Sequence, residues 1–420
     1  MTFDESEALA LDAADPLAPY RERFHVPEPD GRPVVYLCGN SLGLQPKTAR
    51  AIVEQELDDW RDLAVGAHFD GVRPWFPYHE QFRESGARVV GARPGEVVMM
   101  NGLTVNLHLL MVSFYRPTPA RHRILIEASA FPSDRYAVAS QVAFHGFDPE
   151  EGVLVARPRD GEAVLRDEDL DALLDEHGDS IALVLIGGVQ YYTGQLFDLG
   201  RVAEKARALG CVVGFDLAHA AGNVPLRLHE WGVDFAAWCT YKYLNAGPGS
   251  VAGAFVHERH AADASRPRFA GWWGNDPATR FSIPRTFVPR AGADGWQLSN
   301  PPILSMAPLV ASLAIFDEVG METLRAKSIA LTGYLERCLD TIPGERFDVI
   351  TPREPERRGC QLSIRVREGA RELHAALGAA RVVCDYREPD VIRVAPVPLY
   401  NSFHDVWQFV SILGSAAGRP

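Results

Sequence analysis

Nowhere in these 420 residues does an apolar run approach the ~18 residues that a membrane-spanning helix needs. The opening stretch, MTFDESEALALDAADPL, is acidic and lacks a basic region followed by an apolar one, which argues against a signal peptide. Cysteine is scarce. The six residues (Cys38, Cys211, Cys239, Cys338, Cys360, Cys384) form no C-x-x-C pair, which excludes a disulfide framework or structural zinc motif and fits reduced thiols in the cytoplasm. Positive charge is in deficit, 42 Lys and Arg against 55 Asp and Glu, for a formal charge of -13. Nucleic acid and anionic membranes are therefore disfavoured as partners, although a local pocket can still take a small anion such as phosphate. Repeats and low-complexity tracts are missing too. What is left, 47% hydrophobic and 23% charged residues, describes a packed globular protein.

A chain of this length exceeds one ordinary core, so two domains sharing a cleft are expected. Short apolar runs alternate with helical stretches from about residue 95: EVVMM (96–100), RILIE (123–127), IALVLIG (181–187), CVVGFD (211–216), DFAAWC (234–239) and SVAGAFV (250–256). Strands this continuously apolar are covered on both faces, which predicts an α/β fold around a mostly parallel sheet. Before them one helix is predicted from Lys47 to Leu63. A Pro-rich stretch, Pro284 to Pro308, then leads to helices over 308–319 and 321–339, mixed strands at 361–366 and 390–397, and a final helix over 404–413. The division predicted is an N-terminal segment (1–75) packing with the small domain and active site, a large domain (76–307) and a smaller α+β domain (308–420).

The chemistry concentrates between Asp216 and Lys242. Asp216 ends a strand and is followed by Leu-Ala-His219, where ligands of open α/β sheets sit. The next strand ends in Thr240-Tyr241-Lys242-Tyr243 and a Gly-rich turn. A lysine in that setting is a candidate Schiff-base amine, and an acid one strand away suits the pyridine nitrogen of pyridoxal phosphate. The same pair is also compatible with a helix-capping aspartate and a solvated lysine. Asn101-Gly102-Leu103-Thr104 opens a helix whose N-terminus can take the phosphate, unless Asn101 or Thr104 only caps it. Phe131-Pro132-Ser133-Asp134 follows a third strand and offers an aromatic for stacking and an acid nearby.

Nine segments in consistent order, CGNSLGLQPK (38–47), MNGLTVNLHLLM (100–111), AFPSDRYA (130–137), YYTGQ (191–195), FDLAHAAGN (215–223), WCTYKYLNAGPG (238–249), FAGWWGND (269–276), LSNPPILS (298–305) and IRVAPVPLYNSF (392–403), resemble those of kynureninases. The resemblance implies an aminotransferase-like fold type I enzyme of tryptophan catabolism that cleaves the Cβ–Cγ bond of L-kynurenine or its 3-hydroxy analogue. It implies Lys242 and Tyr241 as catalytic residues. The cofactor would be held by Leu103, Thr104, Phe131, Ser133, Asp134, Asp216, His219, Tyr241, Lys242, Trp272 and Asn300. Substrate would be held by Ser41, His68, Asn300 and Arg393, the last taking the α-carboxylate. A homodimer with shared sites, acting on a small amino-acid substrate, is implied as well. Gly187-Gly188 departs from the family, which often offers a serine there. A cysteine desulfurase-like lyase is the alternative within the fold, with Cys360 and Cys384 as its late thiols.

Other patterns point elsewhere. Gly39-Asn40-Ser41-Leu42-Gly43 matches the G-x-S-x-G elbow of serine hydrolases but precedes the sheet and is not followed at once by a helix. His257-Glu258-Arg259-His260 has i, i+3 histidines and no third ligand nearby in sequence, so a solvated loop is expected instead of a metal. GPGSVAG (247–253) is not the dinucleotide motif G-x-G-x-x-G.

Overall fold

The computed structural model describes residues 4–261, 263–282 and 286–417; Pro284, where the Pro-rich stretch was expected to begin, lies outside them. Its centre is a seven-stranded sheet: β1 (Val97–Met99), β2 (Arg123–Glu127), β3 (Val153–Ala156), β4 (Ile181–Gly187), β5 (Val212–Asp216), β6 (Phe235–Trp238) and β7 (Gly253–Val256). The spatial order is β1-β7-β6-β5-β4-β2-β3. β7 runs antiparallel to both neighbours, and the pairings from β6 through β3 are all parallel. Two inversions restore β1 to the common direction. The carboxyl ends of β1, β2, β4, β5 and β6 therefore open on one edge, where the connecting loops gather.

The inner strands of this sheet are buried along most of their length, β4 from Ile181 to Ile186 without interruption, because helices cover both faces. Leu199–Ala208 illustrates how they do so. Leu199, Val202, Ala203 and Ala206 recur at helical spacing and are buried, while Asp198 caps the helix by accepting the Arg201 N–H at 3.0 Å. β3 was missed in the sequence. It is an edge strand with three of its four residues only half-buried, so its apolar signal is short.

A second hydrophobic core lies in the C-terminal third. A four-stranded sheet of β8 (Phe347–Val349), β9 (Leu362–Val366), β10 (Asp385–Arg387) and β11 (Val391–Val394) is antiparallel at every pairing, where mixed strands were expected. Helices Met321–Leu339, Ala370–Ala379 and Phe403–Ala417 pack on it. The helix expected to start at Pro308 begins at Ile303, and Pro308 sits inside it. Its buried residues, Met306, Leu309, Leu313, Ile315 and Phe316, join the larger core, and the second core begins only at Leu331. The changeover between cores thus falls inside a helix, not at the prolines. The N-terminal segment reaches the second core: Asp12 caps the last helix through the Phe403 and His404 N–H groups (2.6 and 3.1 Å), and Val35–Tyr36 pairs with Val382–Val383. Among the described residues no single helix is long and apolar enough to cross a membrane.

Candidate active site

At the strand-end edge lies a cavity of about 260 Å³ lined by Leu103, Thr104, Phe131, Ser133, Asp134, Asp216, His219, Tyr241 and Lys242, nine of the residues singled out in the sequence. Each arrives on the loop after its own strand: Leu103 and Thr104 after β1, Phe131 to Asp134 after β2, Asp216 and His219 at the end of β5, Tyr241 and Lys242 after β6.

Two helix N-termini face this space. Leu103–Phe114 starts at Gly102 with no side-chain cap, and Pro132–Phe144 starts beside it. The expectation that Asn101 or Thr104 caps the first helix does not hold. The Thr104 hydroxyl instead meets that of Ser133 at 2.6 Å, and Asn101, at φ +52°, donates to Asn106. Unfilled N–H groups of two first turns and a hydroxyl pair make a cradle for a dianion.

Lys242 Nζ lies 3.0 Å from His219 Nε2 and 5.8 Å from the Phe131 ring centre. Burial and the neighbouring ammonium hold His219 well below the usual histidine range, so its ring is neutral. With Nε2 accepting from Lys242, the ring proton belongs on Nδ1, which is buried without a partner. Asp216 accepts the Ala218 N–H at 2.7 Å. Burial first, then the adjacent Asp216 carboxylate, push Asp134 well above the usual carboxylate range, and its Oδ1 is another buried atom without a partner. Two orphaned polar atoms, an amine and an anion cradle around one cavity fit a phosphate-bearing pyridine aldehyde. Burial also raises the Tyr241 hydroxyl above its ordinary range.

Three residues of the site went unremarked in the sequence. Glu127 ends β2, is 6% exposed, lines the cavity and accepts the Gly187 N–H at 3.2 Å. Tyr191 lines it as well, with its ring 5.2 Å from and perpendicular to that of Phe131. Asp385 pairs with Arg393. The signal for Glu127 was the one that found Asp216, an acid closing an apolar strand. Gly187 is where a family serine was missed, and a Cβ there would lie 3.1 Å from Glu127 Oε1.

Arg393 is 1% exposed on β11 and donates to the Tyr191 carbonyl at 2.6 Å. Ser41, expected near the substrate ring, is held by Asp385 and Arg393. His68, Trp272 and Asn300 do not line the cavity of this chain. Trp272 is 46% exposed and donates to Asn300 at 2.9 Å, and His68 packs on Trp75. Phe69, Phe76, Trp273 and Phe281 join these two places into one aromatic patch.

The remaining motifs resolve structurally. No helix follows Gly39 to Gly43 at once. Gly43 is required because its N–H donates to the Tyr241 carbonyl at 2.8 Å and any side chain would strike the Lys242 carbonyl. The solvated loop expected over His257 to His260 is not what forms: His257 is buried, a short helix runs over Glu258–Ala261, and the two histidines serve different partners, Glu96 at 3.5 Å and Asp234 at 2.6 Å. Glu96 is itself taken up by N–H groups of Arg93 and Glu258 and by His229.

Comparison with known proteins follows the same lines. The family model described as kynureninase C-terminal domain matches residues 324–413. The kynureninase of Koribacter versatilis is 61% identical over 411 residues, covering 97% of both chains, and that of Myxococcus xanthus is 57% identical over 414 residues, covering 98% of this chain and 97% of the relative. Among solved structures, an Escherichia coli cysteine desulfurase superposes with TM-score 0.78 at 18% identity, covering 96% of this chain and 98% of its own. A C-DES variant with glycine covalently linked to its pyridoxal-phosphate cofactor gives 0.75, also at 18%, covering 94% and 98%. Identity that low shows the shared fold alone, the pyridoxal-phosphate fold type I.

Proposed function

This chain belongs to the kynureninase family, and we propose that it hydrolyses the Cβ–Cγ bond of L-kynurenine, giving anthranilate and L-alanine, with pyridoxal phosphate as cofactor. The observation that carries this reading is similarity along the whole chain, 61% identity over 411 residues.

Bound pyridoxal phosphate supplies an aldehyde carbon and a ring that stores an electron pair. Lys242 is the amine that would hold the aldehyde and, as a free amine, would carry the α-proton of the substrate. Asp216 would keep the pyridine nitrogen protonated, and Asp134, which burial and the Asp216 carboxylate push toward the neutral acid, would complete that end of the site. The two helix N-termini, with Thr104 and Ser133, would hold the phosphate, and Phe131 would stack on the ring. Tyr241, which burial keeps protonated, gives a proton to the departing three-carbon fragment. Arg393 takes the α-carboxylate through its planar donor edge.

A desulfurase-like reading needs a mobile thiol. Cys360 is fully buried and Cys384 is 8% exposed, and burial pushes both thiols up to about 12, which leaves neither as a nucleophile. The partner we propose is a second copy of the chain in the cytoplasm. The exposed aromatic patch around His68, Trp272 and Asn300 is what it would cover, bringing those groups to its cavity and its substrate ring. Light scattering should then give twice 46.2 kDa.

The decisive assay is anthranilate fluorescence from L-kynurenine, run beside sulfide release from cysteine. Lys242→Ala should lose both the activity and the cofactor's visible band. An undiminished band in that variant rejects the assignment.

A further inference from the structure

The antiparallel register sets Asp385 of β10 directly opposite Arg393 of β11, with Ser363 of β9 opposite on the other side. Residues so paired show their side chains on one face of the sheet, so strand register alone brings this carboxylate to this guanidinium. Arg393 Nη2 donates to Asp385 Oδ2 and, at 3.3 Å, to Ser41 Oγ. Nη1 is tied to the Tyr191 carbonyl, and Nε is buried without a partner. The Ser41 hydroxyl donates to the same Asp385 oxygen at 2.6 Å, and Arg387 donates to it at 3.1 Å. One carboxylate thus serves two guanidiniums and a hydroxyl. The cluster carries one surplus positive charge, and an incoming carboxylate balances it. Tyr191 links it to the Lys242 cavity, since its ring lies 5.8 Å from the Arg393 guanidinium and against Phe131.

We propose that Asp385 is a positioning residue that fixes the plane of the Arg393 guanidinium for the α-carboxylate of the substrate, with the Ser41 hydroxyl locking the two together. This rests on the reading of Arg393 as the carboxylate receiver. A buried arginine has five donors and several rotamers, and two neutral acceptors alone do not choose among them. Asp385 accepts at Nη2 and the Tyr191 carbonyl at Nη1, which leaves the buried Nε–H as the donor free for the ligand.

The test uses the holoenzyme and two ligands read by the cofactor's visible absorbance: L-alanine, and L-alaninol, which keeps the amine and lacks the carboxylate. Asp385→Asn should weaken L-alanine at least about tenfold, the scale of one charge-assisted hydrogen bond, and leave L-alaninol within about twofold. KM for L-kynurenine should rise more than kcat falls. Ser41→Ala should act in the same direction by a smaller factor, and it carries the comparison if Asp385→Asn does not fold. Equal weakening of both ligands, unchanged L-alanine affinity, or tighter L-alanine binding (Asp385 then merely competes with the ligand) overturns the proposal. A wild-type enzyme spectrally silent to both ligands refutes instead the cofactor reading beneath it.

Discussion

Glu127 offers a sharp test of the site's electrostatics that needs no substrate. Its carboxyl is buried at the end of β2, accepts the Gly187 N–H at 3.2 Å and feels the Asp216 carboxylate. Burial is the largest influence and the Asp216 carboxylate adds to it; against the opposing pull of the Gly187 N–H they push it from the usual 4.5 up to about 7. The folded protein therefore prefers the neutral acid, while the unfolded chain ionises near 4.5. Whatever this group contributes to stability is complete below the unfolded value and lost as pH rises to about 7. At about 1.36 kcal/mol per pH unit, the interval from 4.5 to about 7 corresponds to about 3 kcal/mol. Glu127→Gln replaces the acid by a permanent neutral amide that still accepts from Gly187, so it should escape that loss. Thermal unfolding of the two cofactor-free proteins should differ little at pH 5. By pH 8.5 the variant should be more stable by about 3 kcal/mol, a gap of a few degrees in Tm. A gap that does not change with pH, or one that opens toward acid, refutes the assignment of a neutral Glu127.

Tyr241→Phe removes the proposed proton donor without emptying its space, so kcat should fall by about 10²–10⁴ while the visible band of the cofactor persists, as steady-state kinetics and a spectrum would show. Arg393→Lys keeps the charge but loses the fork, and KM for L-kynurenine should rise by roughly 10-fold or more with a smaller change in kcat. Gly188→Ala places a Cβ 2.7 Å from Ala220 Cβ and 2.8 Å from Leu217 Cδ2, and the overpacking should cost about 1–3 kcal/mol, read as a lowered Tm.

How much of the fold was legible follows from how each element earns its stability. β2 and β4 matched their runs residue for residue, because the middle of a strand buried on both faces must be apolar. Some elements with one wet face did not announce themselves: β3, β8 and β10 are short and half-exposed, and the helix Ala370–Ala379 starts at Gly369 in a left-handed conformation with no side-chain cap. Pro308 misled for a different reason. Proline starts helices well, yet here the carbonyl it cannot bond belongs to Leu304, which is 44% exposed, so the helix passes through it.

The site divides along the same physical line. Residues that reach the cavity from the strand that carries them, Asp216, His219, Tyr241 and Lys242 among them, were readable because chain direction and strand end fix their place. Arg393 could be named by resemblance, but its surroundings could not. Asp385 lies eight residues away in sequence, and only the pairing of β10 with β11 makes it a neighbour. Glu127 carried the same local signature as Asp216, and what separates their roles is the count of carboxyls against one ammonium in a closed space. Asp134, Asp216 and Glu127 line one cavity with Lys242, and burial and mutual repulsion push Asp134 and Glu127 toward the neutral acid. That proton inventory belongs to the assembled edge of the sheet, and no single segment of the chain contains it.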